Sequence, residues 1–375
     1  MKKMAYAGVV FVPLIALVGI LCLGFFHVIG VKAATPTCTP TGFMRDNINL
    51  TAALINPSGT VGSQINANGC NIGIYYGSGS SGTVNNADIY GANYYGVVND
   101  GGNVTISHSR VHDIGEKPFN GTQHGVAIYF SYASGAKGTI ANNLIWYYQK
   151  AGIVVNGKPD TARISGNTVI GLGPVNFIAQ NGIQIGYGAK ATVSSNIVTG
   201  NSYTGSGNAS SGGILVVGGS CYSDVATVGT QITSNNVIGN DVGIWLSNID
   251  IDRNNPNNCV PTAVVTKVLV NKNIASNDYV NNVSGNGSGA GYQAGISDQG
   301  NYDKLTSNSI CGTGYTPVAT PPPYLYAIDD TATNNVSESG NISCSTGDSL
   351  APAKTHATSK HLGKYGNVNK ASQVK

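Results

Sequence analysis

A glycine followed by an aliphatic residue recurs along this chain at a nearly constant spacing. The eight copies begin at Gly73, Gly96, Gly125, Gly152, Gly182, Gly213, Gly243 and Gly295. Successive copies are 23, 29, 27, 30, 31, 30 and 52 residues apart. Self-similarity with a period of roughly 20–50 residues indicates an array of stacked units. The repeat constrains the fold strongly, because each unit must bury its apolar face against the next.

Each unit contains strand-like alternation and a second motif. In Gly152-Ile153-Val154-Val155, for example, aliphatic residues occupy the first and third positions after the glycine, which is the period of a half-buried strand. The second motif is aliphatic-x-x-Asn-x-aliphatic, with its asparagines at 143, 167, 196 and 308 and related ones at 235 and 273. Asparagine suits a tight corner because it tolerates left-handed backbone and bonds local backbone groups. We therefore interpret this column as structural, with stacked amides that hydrogen-bond as a ladder.

The composition agrees with a strand-rich array. Charged residues make up only 10% of the chain, and there are 51 glycines. These values exclude a disordered chain and a helical enzyme, and they favour strands joined by Gly/Asn turns.

The two motifs resemble the right-handed parallel β-helix of the pectin-lyase-like superfamily over roughly residues 70–345. The resemblance implies an all-β, single-domain right-handed parallel β-helix of about nine coils. Members of that superfamily include polysaccharide lyases, glycoside hydrolases, epimerases, phage tailspikes and surface adhesins. The resemblance therefore implies the fold much more specifically than it implies an activity.

The sequence divides into four segments. Residues 1–33 form a predicted signal peptide, with Lys2 and Lys3 ahead of an apolar run and small residues at its end. The apolar run, residues 4–31, is long enough to span a bilayer, so an uncleaved anchor is the open alternative. Residues 34–69 are predicted to be an N-terminal cap with a short amphipathic helix from Asp46 to Ile55. Residues 70–348 would form the β-helix, and residues 349–375 a disordered lysine-rich tail.

The charge of the predicted body limits its partners. Residues 34–348 carry 12 basic and 17 acidic residues, a formal charge of −5, which argues against nucleic acid. We expect a monomer that is secreted or held at the cell surface, with an extracellular polysaccharide or cell-wall polymer as its partner. A membrane would be involved only through residues 4–31.

Six cysteines follow the predicted signal peptide, and six cysteines can pair in fifteen ways. Because they lie about one coil apart in pairs, and neighbouring coils stack within reach of a disulfide, we predict Cys38–Cys70, Cys221–Cys259 and Cys311–Cys344. No Cys-x-x-Cys occurs, so we predict no zinc site. We also predict no cofactor and no other metal; calcium has no support, because no aspartate cluster repeats on adjacent coils.

A dense polar cluster is the first candidate site. It contains His108, Arg110, His112, Asp113, Glu116, Lys117, Gln123 and His124. As catalytic candidates we select His112, Asp113 and His124, with Arg110 and Lys117 assisting, because a His or Asp on a loop can transfer protons and a nearby cation can neutralise a carboxylate. The alternative is a hydrogen-bonded turn without catalytic function.

Polar and aromatic residues at one-coil intervals form the second candidate site. The substrate-binding candidates are Gln123, Tyr129, Lys150, Gln180, Gln184 and Trp245. Amides read sugar hydroxyls and aromatic faces pack on sugar rings, but exposed strand positions are polar or aromatic in any case.

Two hypotheses of function follow from these patterns. In the first, the protein is an enzyme of the lyase, hydrolase or epimerase type. In the second, it is a non-catalytic adhesin or wall-associated module. Scarce carboxylates weaken the first hypothesis, and the sequence leaves open whether the protein is an enzyme.

Overall fold

The computed structural model describes residues 36–350 except 208, 281–291, 319–323, 331–332, 334 and 345–349. The predicted signal peptide and lysine-rich tail therefore lie outside the described residues. The described strands are, in chain order, β1 (Thr39–Arg45), β2 (Ile48–Ile55), β3 (Thr60–Val61), β4 (Gln64–Asn66), β5 (Ile72–Tyr76), β6 (Ser81–Asn85), β7 (Asp88–Tyr90), β8 (Tyr95–Asn99), β9 (Asn103–Ser107), β10 (Arg110–Ile114), β11 (Val126–Phe130), β12 (Lys137–Ala141), β13 (Leu144–Tyr148), β14 (Ala151–Asn156), β15 (Thr161–Ser165), β16 (Thr168–Val175), β17 (Asn181–Gly186), β18 (Lys190–Ser194), β19 (Ile197–Tyr203), β20 (Gly212–Gly218), β21 (Gln231–Thr233), β22 (Asn236–Ile238), β23 (Val242–Ile251), β24 (Cys259–Pro261), β25 (Leu269–Asn271), β26 (Ile274–Ser276), β27 (Tyr292–Asp298), β28 (Lys304–Thr306), β29 (Ser309–Cys311), β30 (Tyr324–Asp329), β31 (Ser337–Ser339) and β32 (Ile342–Ser343). Two short 3-10 helices span Ser220–Tyr222 and Thr313–Tyr315.

The strands form three sheets that wind around one core. Sheet A runs β1-β2-β5-β8-β11-β14-β17-β20-β23-β27-β30, with β24 added beside β23. Sheet B runs β3-β6-β9-β12-β15-β18-β21-β25-β28-β31, and sheet C runs β4-β7-β10-β13-β16-β19-β22-β26-β29-β32. Pairing is parallel except for β1 with β2 and β23 with β24. Each coil passes from sheet A to B to C, and the ten-stranded sheets B and C give ten coils where we expected about nine.

The core fills the space between the sheets with the predicted aliphatic columns. Ile74 and Val97 from sheet A, Val84 and Ile106 from sheet B, and Ile89 from sheet C all belong to one buried cluster. Strands of sheet B follow the period-two alternation of their sequences, and strands of sheet C such as β10 follow it over their first three residues. Sheet A is different, because strands such as β5, β8 and β11 are buried on both faces.

The glycine repeat needs one correction of register. Ile128 pairs with Val97 and with Ile153, so Ala127 rather than Gly125 occupies the glycine column in this coil. Seven coils have a glycine in this column, where the next coil lies very close: a Cβ on Gly182 would lie 2.6 Å from the carbonyl oxygen of Gly213. The first and the last described coil have Ala53 and Ala327 there. The Gly125-Val126 match was therefore out of register by two residues.

The helix predicted from Asp46 to Ile55 is wrong, because this segment forms a β-hairpin. Asp46 and Asn47 both have positive φ, 51° and 61°, as the central residues of a tight hairpin turn require. The strand that follows alternates Ile48, Leu50, Ala52 and Leu54, and Ala52 pairs in parallel with Ile72. Period-two alternation beside an available sheet edge therefore overrides the helical interpretation. Residues 48–66 already form the first coil.

The asparagine column forms the predicted ladder. Each side-chain Nδ2 donates to the Oδ1 of the next asparagine at 2.9–3.0 Å, from Asn143 through 167, 196, 235, 273 and 308 to Asn341. The left-handed residue is the one before each ladder asparagine, such as Asn142 with φ 56° and Ser195 with φ 56°. The asparagine amides thus satisfy hydrogen-bonding groups at the corner, and the residue before each asparagine adopts the left-handed backbone conformation.

All three predicted disulfides are confirmed. Cys38–Cys70, Cys221–Cys259 and Cys311–Cys344 join neighbouring parts of the solenoid, with Cα separations of 5.3, 6.0 and 4.9 Å. Three disulfides are typical of proteins that fold in an extracellular or otherwise oxidising space.

Candidate functional site

Two of the predicted catalytic residues, Lys117 and His124, lie on a long loop between sheets C and A. This loop, residues 115–125, joins β10 to β11 and is called the corner loop below. At the preceding and following corners, residues 91–94 and 149–150 suffice for the same connection. Extra length on a rigid scaffold gives side chains freedom to converge, which is typical of binding and catalytic loops.

His124 of the corner loop lies between two carboxylates. Its Nε2 donates to Glu116 Oε1 at 2.6 Å, and its Nδ1 lies 3.8 Å from Asp46 Oδ2. The imidazole stacks on the Tyr94 ring with centroids 3.8 Å apart. His124 and Tyr94 are both buried, whereas the two carboxylates reach solvent. A buried imidazole that is hydrogen-bonded to a partly exposed carboxylate can hold or transfer a proton.

Tyr94 adds a proton donor to this group. Burial raises the pKa of its hydroxyl, and the carboxylates of Asp46 and Glu116 raise the pKa further. The phenol therefore stays protonated at neutral pH. Asn93 extends the network, since its Nδ2 donates to Glu116 Oε1 at 3.4 Å. We call Asp46, Tyr94, Glu116 and His124 the corner site.

His112 belongs to a different cluster, on the outer face of sheet C. Its Nδ1 contacts Asp113 Oδ2 at 2.6 Å, and its Nε2 contacts Asp88 Oδ1 at 3.1 Å. Tyr90 and Trp146 stack on its two faces, with centroids 5.3 and 4.2 Å away. The His112 ring is thus held on both faces and at both nitrogens, and its catalytic role stays a prediction.

The other predicted catalytic residues are divided between these places. Arg110 pairs with Asp88 at 3.1 Å, beside His112. Lys117 is exposed, and its Nζ donates to Asn68 Oδ1 at 2.9 Å. His108 lies at the corner between sheets B and C, beside Asn85 and Asn142. The predicted centre that combines His112, Asp113 and His124 is therefore two separate clusters.

An exposed aromatic pair lies next to the corner loop. Tyr147, at the end of β13, is 54% exposed, and its ring lies 5.3 Å from that of Phe119. Tyr147 has φ 54°, a costly conformation for a bulky residue. Asp113 and Gly91 adopt positive φ at the equivalent positions of the two preceding coils, so the corner geometry imposes it.

The predicted polar column does not form an open surface. Lys150 and Gln180 are fully buried and donate to backbone carbonyls, Lys150 to Ala179 at 2.7 Å and Gln180 to Tyr148 at 2.7 Å. Gln123 does not belong to this column because of the register correction; its Nε2 donates to Gly121 within its own loop.

The predicted outward aromatic and amide side chains do share one column of sheet A, but they are buried. Tyr129 stacks on Tyr95 at 4.8 Å. Gln184 donates to Asn156 Oδ1 at 3.1 Å, and Trp245 Nε1 donates to Gln299 Oε1 at 3.4 Å. The expectation of an exposed face is wrong at these positions, whereas their role in binding stays a prediction.

The described residues contain neither a metal-binding cluster nor a membrane-spanning helix. Within the described ranges, no group of three or more His, Cys, Asp or Glu side chains is arranged to hold a metal ion. Among the same residues, no helix has the length and apolar character needed to cross a bilayer.

A family model agrees with the architecture described above. Residues 51–227 match the family described as "Right handed beta helix region". The fold is a right-handed parallel β-helix. Two solved structures with some similarity to this chain are the A-module of the mannuronan C-5 epimerase AlgE6 from Azotobacter vinelandii and the Dettilon tailspike protein.

The similarity to these two structures is distant. The epimerase module is 14% identical, with a TM-score of 0.32 over 76% of this chain and 69% of its own. The tailspike is 12% identical, with a TM-score of 0.33 over 78% of this chain and 63% of its own. No curated protein matches the chain. Similarity at this level supports no inference about this chain.

Several residues of the corner site were not selected from the sequence. Asp46 was assigned to a helix, and Glu116 was noted in the polar cluster without a role. Tyr94 was not among the predicted catalytic or substrate-binding candidates, and neither was Tyr147. The alternation of residues 48–54 could have identified the hairpin that carries Asp46. The contact between Glu116 and His124 depends on the loop conformation, which no repeat encodes.

Proposed function

We propose that this β-helix processes an extracellular polysaccharide at the corner site, as a lyase, hydrolase or epimerase. The observation that carries the proposal is His124, hydrogen-bonded to Glu116 at 2.6 Å and flanked by Asp46. Sugar-chain cleavage and epimerisation both need a proton donor or acceptor beside the reacting carbon or oxygen. His124 and Glu116 exchange protons with the substrate, and the protonated Tyr94 hydroxyl is a further donor.

The test compares the full-length protein and its variants on a panel of glycans. Reducing ends, unsaturated uronate absorbance and NMR of the polymer detect hydrolysis, elimination and epimerisation respectively. We expect His124→Ala and Glu116→Gln each to reduce turnover by about 100-fold or more. His108→Ala is the matched control, because His108 lies at another corner and contacts Asn85 and Asn142. Turnover by His124→Ala equal to that of the wild type would exclude the corner site.

A second candidate function is glycan binding without turnover, which the exposed Tyr147–Phe119 pair favours. Tyr147→Ala should then weaken retention on a glycan column. Tyr302→Ala is the matched control, because Tyr302 is 51% exposed and also has positive φ, 59°. Binding that survives Tyr147→Ala unchanged would contradict this candidate.

A further inference from the structure

Gln149 lies directly against the corner loop and is completely buried. It follows β13, at the next corner of the solenoid. Its Oε1 accepts from the backbone N–H groups of Glu116 and Asn120, both at 3.1 Å. Its Nε2 donates to Thr122 O at 2.8 Å, to Thr122 Oγ1 at 2.7 Å and to His124 O at 3.3 Å. One amide therefore bonds the loop near its beginning, its middle and its end.

The glycines at the two ends of the loop pack on the same side chain. A Cβ on Gly115 would lie 2.5 Å from the Cβ of Gln149, and a Cβ on Gly125 would lie 2.6 Å from it. Both glycines also have positive φ, 144° and 89°. The loop thus closes around the stem of Gln149 at a distance that only glycine permits.

These contacts set the relative position of the two ionisable side chains of the corner site. Glu116 and His124 each bond Gln149 through their backbones, one through N–H and the other through C=O. Buried backbone groups of a loop need such partners, and a partner shared by both residues fixes their separation.

We propose that Gln149 is a positioning residue that holds Glu116 and His124 in their hydrogen-bonded arrangement. The proposal rests on the proposed function for its effect on turnover, but the arrangement itself is measured independently. Gln149 acts through the loop backbone and is not a catalytic residue.

The test uses Gln149→Leu, which keeps the approximate volume and removes every hydrogen bond to the loop. The readout is the NMR signal of the ring C–H groups in histidine-labelled full-length protein. Stacking on Tyr94 displaces the His124 signal, and stacking between Tyr90 and Trp146 displaces that of His112. We expect Gln149→Leu to move the His124 signal towards that of a solvent-exposed histidine and to leave that of His112 in place. Asn235→Ala, which removes a buried ladder amide far from the loop, should leave both signals unchanged.

On any glycan that the wild type turns over, Gln149→Leu should lower kcat by about 100-fold with little change in KM, because a small displacement of reacting groups is enough.

An unmoved His124 signal would overturn the proposal. Equal shifts of the His112 and His124 signals would overturn it too, because they indicate a general loosening of the structure. If Gln149→Leu does not fold, Gln149→Glu keeps the two acceptor contacts and loses the donor contacts. It should still shift His124, and an unshifted signal would overturn the proposal. Wild-type protein that turns over no glycan rejects the proposed catalysis, whereas the NMR comparison still decides the role of Gln149.

Discussion

At the scale of single residues, burial decides the behaviour of the ionisable side chains. Lys150 has no exposed surface, and burial lowers the pKa of its ammonium from 10.5 to about 7. The folded state therefore favours the neutral amine. Lys150 therefore makes its full contribution to stability above the pKa that the lysine has in the unfolded chain. This contribution is lost as the pH falls towards 7.

Replacing Lys150 with methionine should consequently stabilise the protein. We expect Lys150→Met to raise the free energy of unfolding by about 2 kcal/mol at pH 7, because burial of Lys150 at this pH requires the loss of a proton that the unfolded lysine holds, and by less at pH 10. Denaturant unfolding at the two pH values measures this difference. Lys190→Met, at an exposed position, serves as the control and should have little effect. A Lys150→Met variant less stable than the wild type at pH 7 would contradict the argument.

Acidic residues near the C-terminal coils have the opposite dependence. Burial, then the neighbouring Asp330, raises the pKa of Glu338 from 4.5 to about 8. Burial also raises the pKa of Asp298, to which the nearby Asp303 adds. Raised carboxyl pKa values favour the protonated form in the fold, so stability is complete below the unfolded pKa and falls as the pH rises through the folded pKa.

The melting temperature should therefore decrease between about pH 5 and pH 8 on account of these acids. Glu338→Gln stays neutral throughout and keeps an acceptor for Asn341, so its melting temperature should fall less over this range. Calorimetry at several pH values compares the two proteins. Identical slopes would show that Glu338 does not titrate in this window.

At the scale of elements, the corners between strands are more specific than the strands. The strands of sheets B and C need only an aliphatic residue at the inward position, and Val, Ile, Leu and Ala all occur there. From the fourth coil on, the corner between sheets B and C carries an asparagine, whose amide bonds both the backbone and the next asparagine. Ala87 and Ser109 occupy this position in the second and third coils. Asn235, for example, donates to Val193 O, Thr233 O and Asn273 Oδ1, and accepts from Asn196.

Removal of an internal ladder residue should accordingly cost more than removal of the last one. Asn235→Ala leaves buried groups of two coils without partners, and we expect a loss of about 3 kcal/mol in the free energy of unfolding. Asn341→Ala, at the end of the described ladder, should cost about 1 kcal/mol, because no further asparagine receives its amide. Urea denaturation tests the order of the two values. Equal losses would mean that the ladder bonds contribute nothing beyond the local turn.

At the scale of the whole molecule, each coil contacts mainly its neighbours, so damage at one end should remain at that end. The Cys38–Cys70 disulfide ties the N-terminal hairpin, which carries Asp46, to the solenoid. The Cys311–Cys344 disulfide joins β29 to the last described coil, far along the chain from the corner loop.

The two disulfides should therefore differ in their effect on the corner site. We expect replacement of either cysteine pair by alanine to cost about 3–4 kcal/mol of stability, since the closed loops are similar in length. Only Cys38→Ala/Cys70→Ala should also displace the His124 NMR signal, because it frees the hairpin that presents Asp46. A displaced His124 signal in Cys311→Ala/Cys344→Ala would contradict the local character of the solenoid.

The sequence by itself determined the solenoid, its inward columns, the asparagine ladder and the disulfide pairing. Each of these depends on a spacing of about one coil, which can be read along the chain. It did not determine the hairpin at Asp46 or the two-residue shift at Gly125, where alternation supports more than one register. The tertiary structure alone decided which candidates meet. It separates His112 from His124, buries Lys150 and Gln180, and brings Asp46, Glu116 and Gln149 to the corner loop. The physical reason is that loop contacts depend on stacking between coils and on a conformation that occurs once, whereas a repeat encodes only what every coil shares.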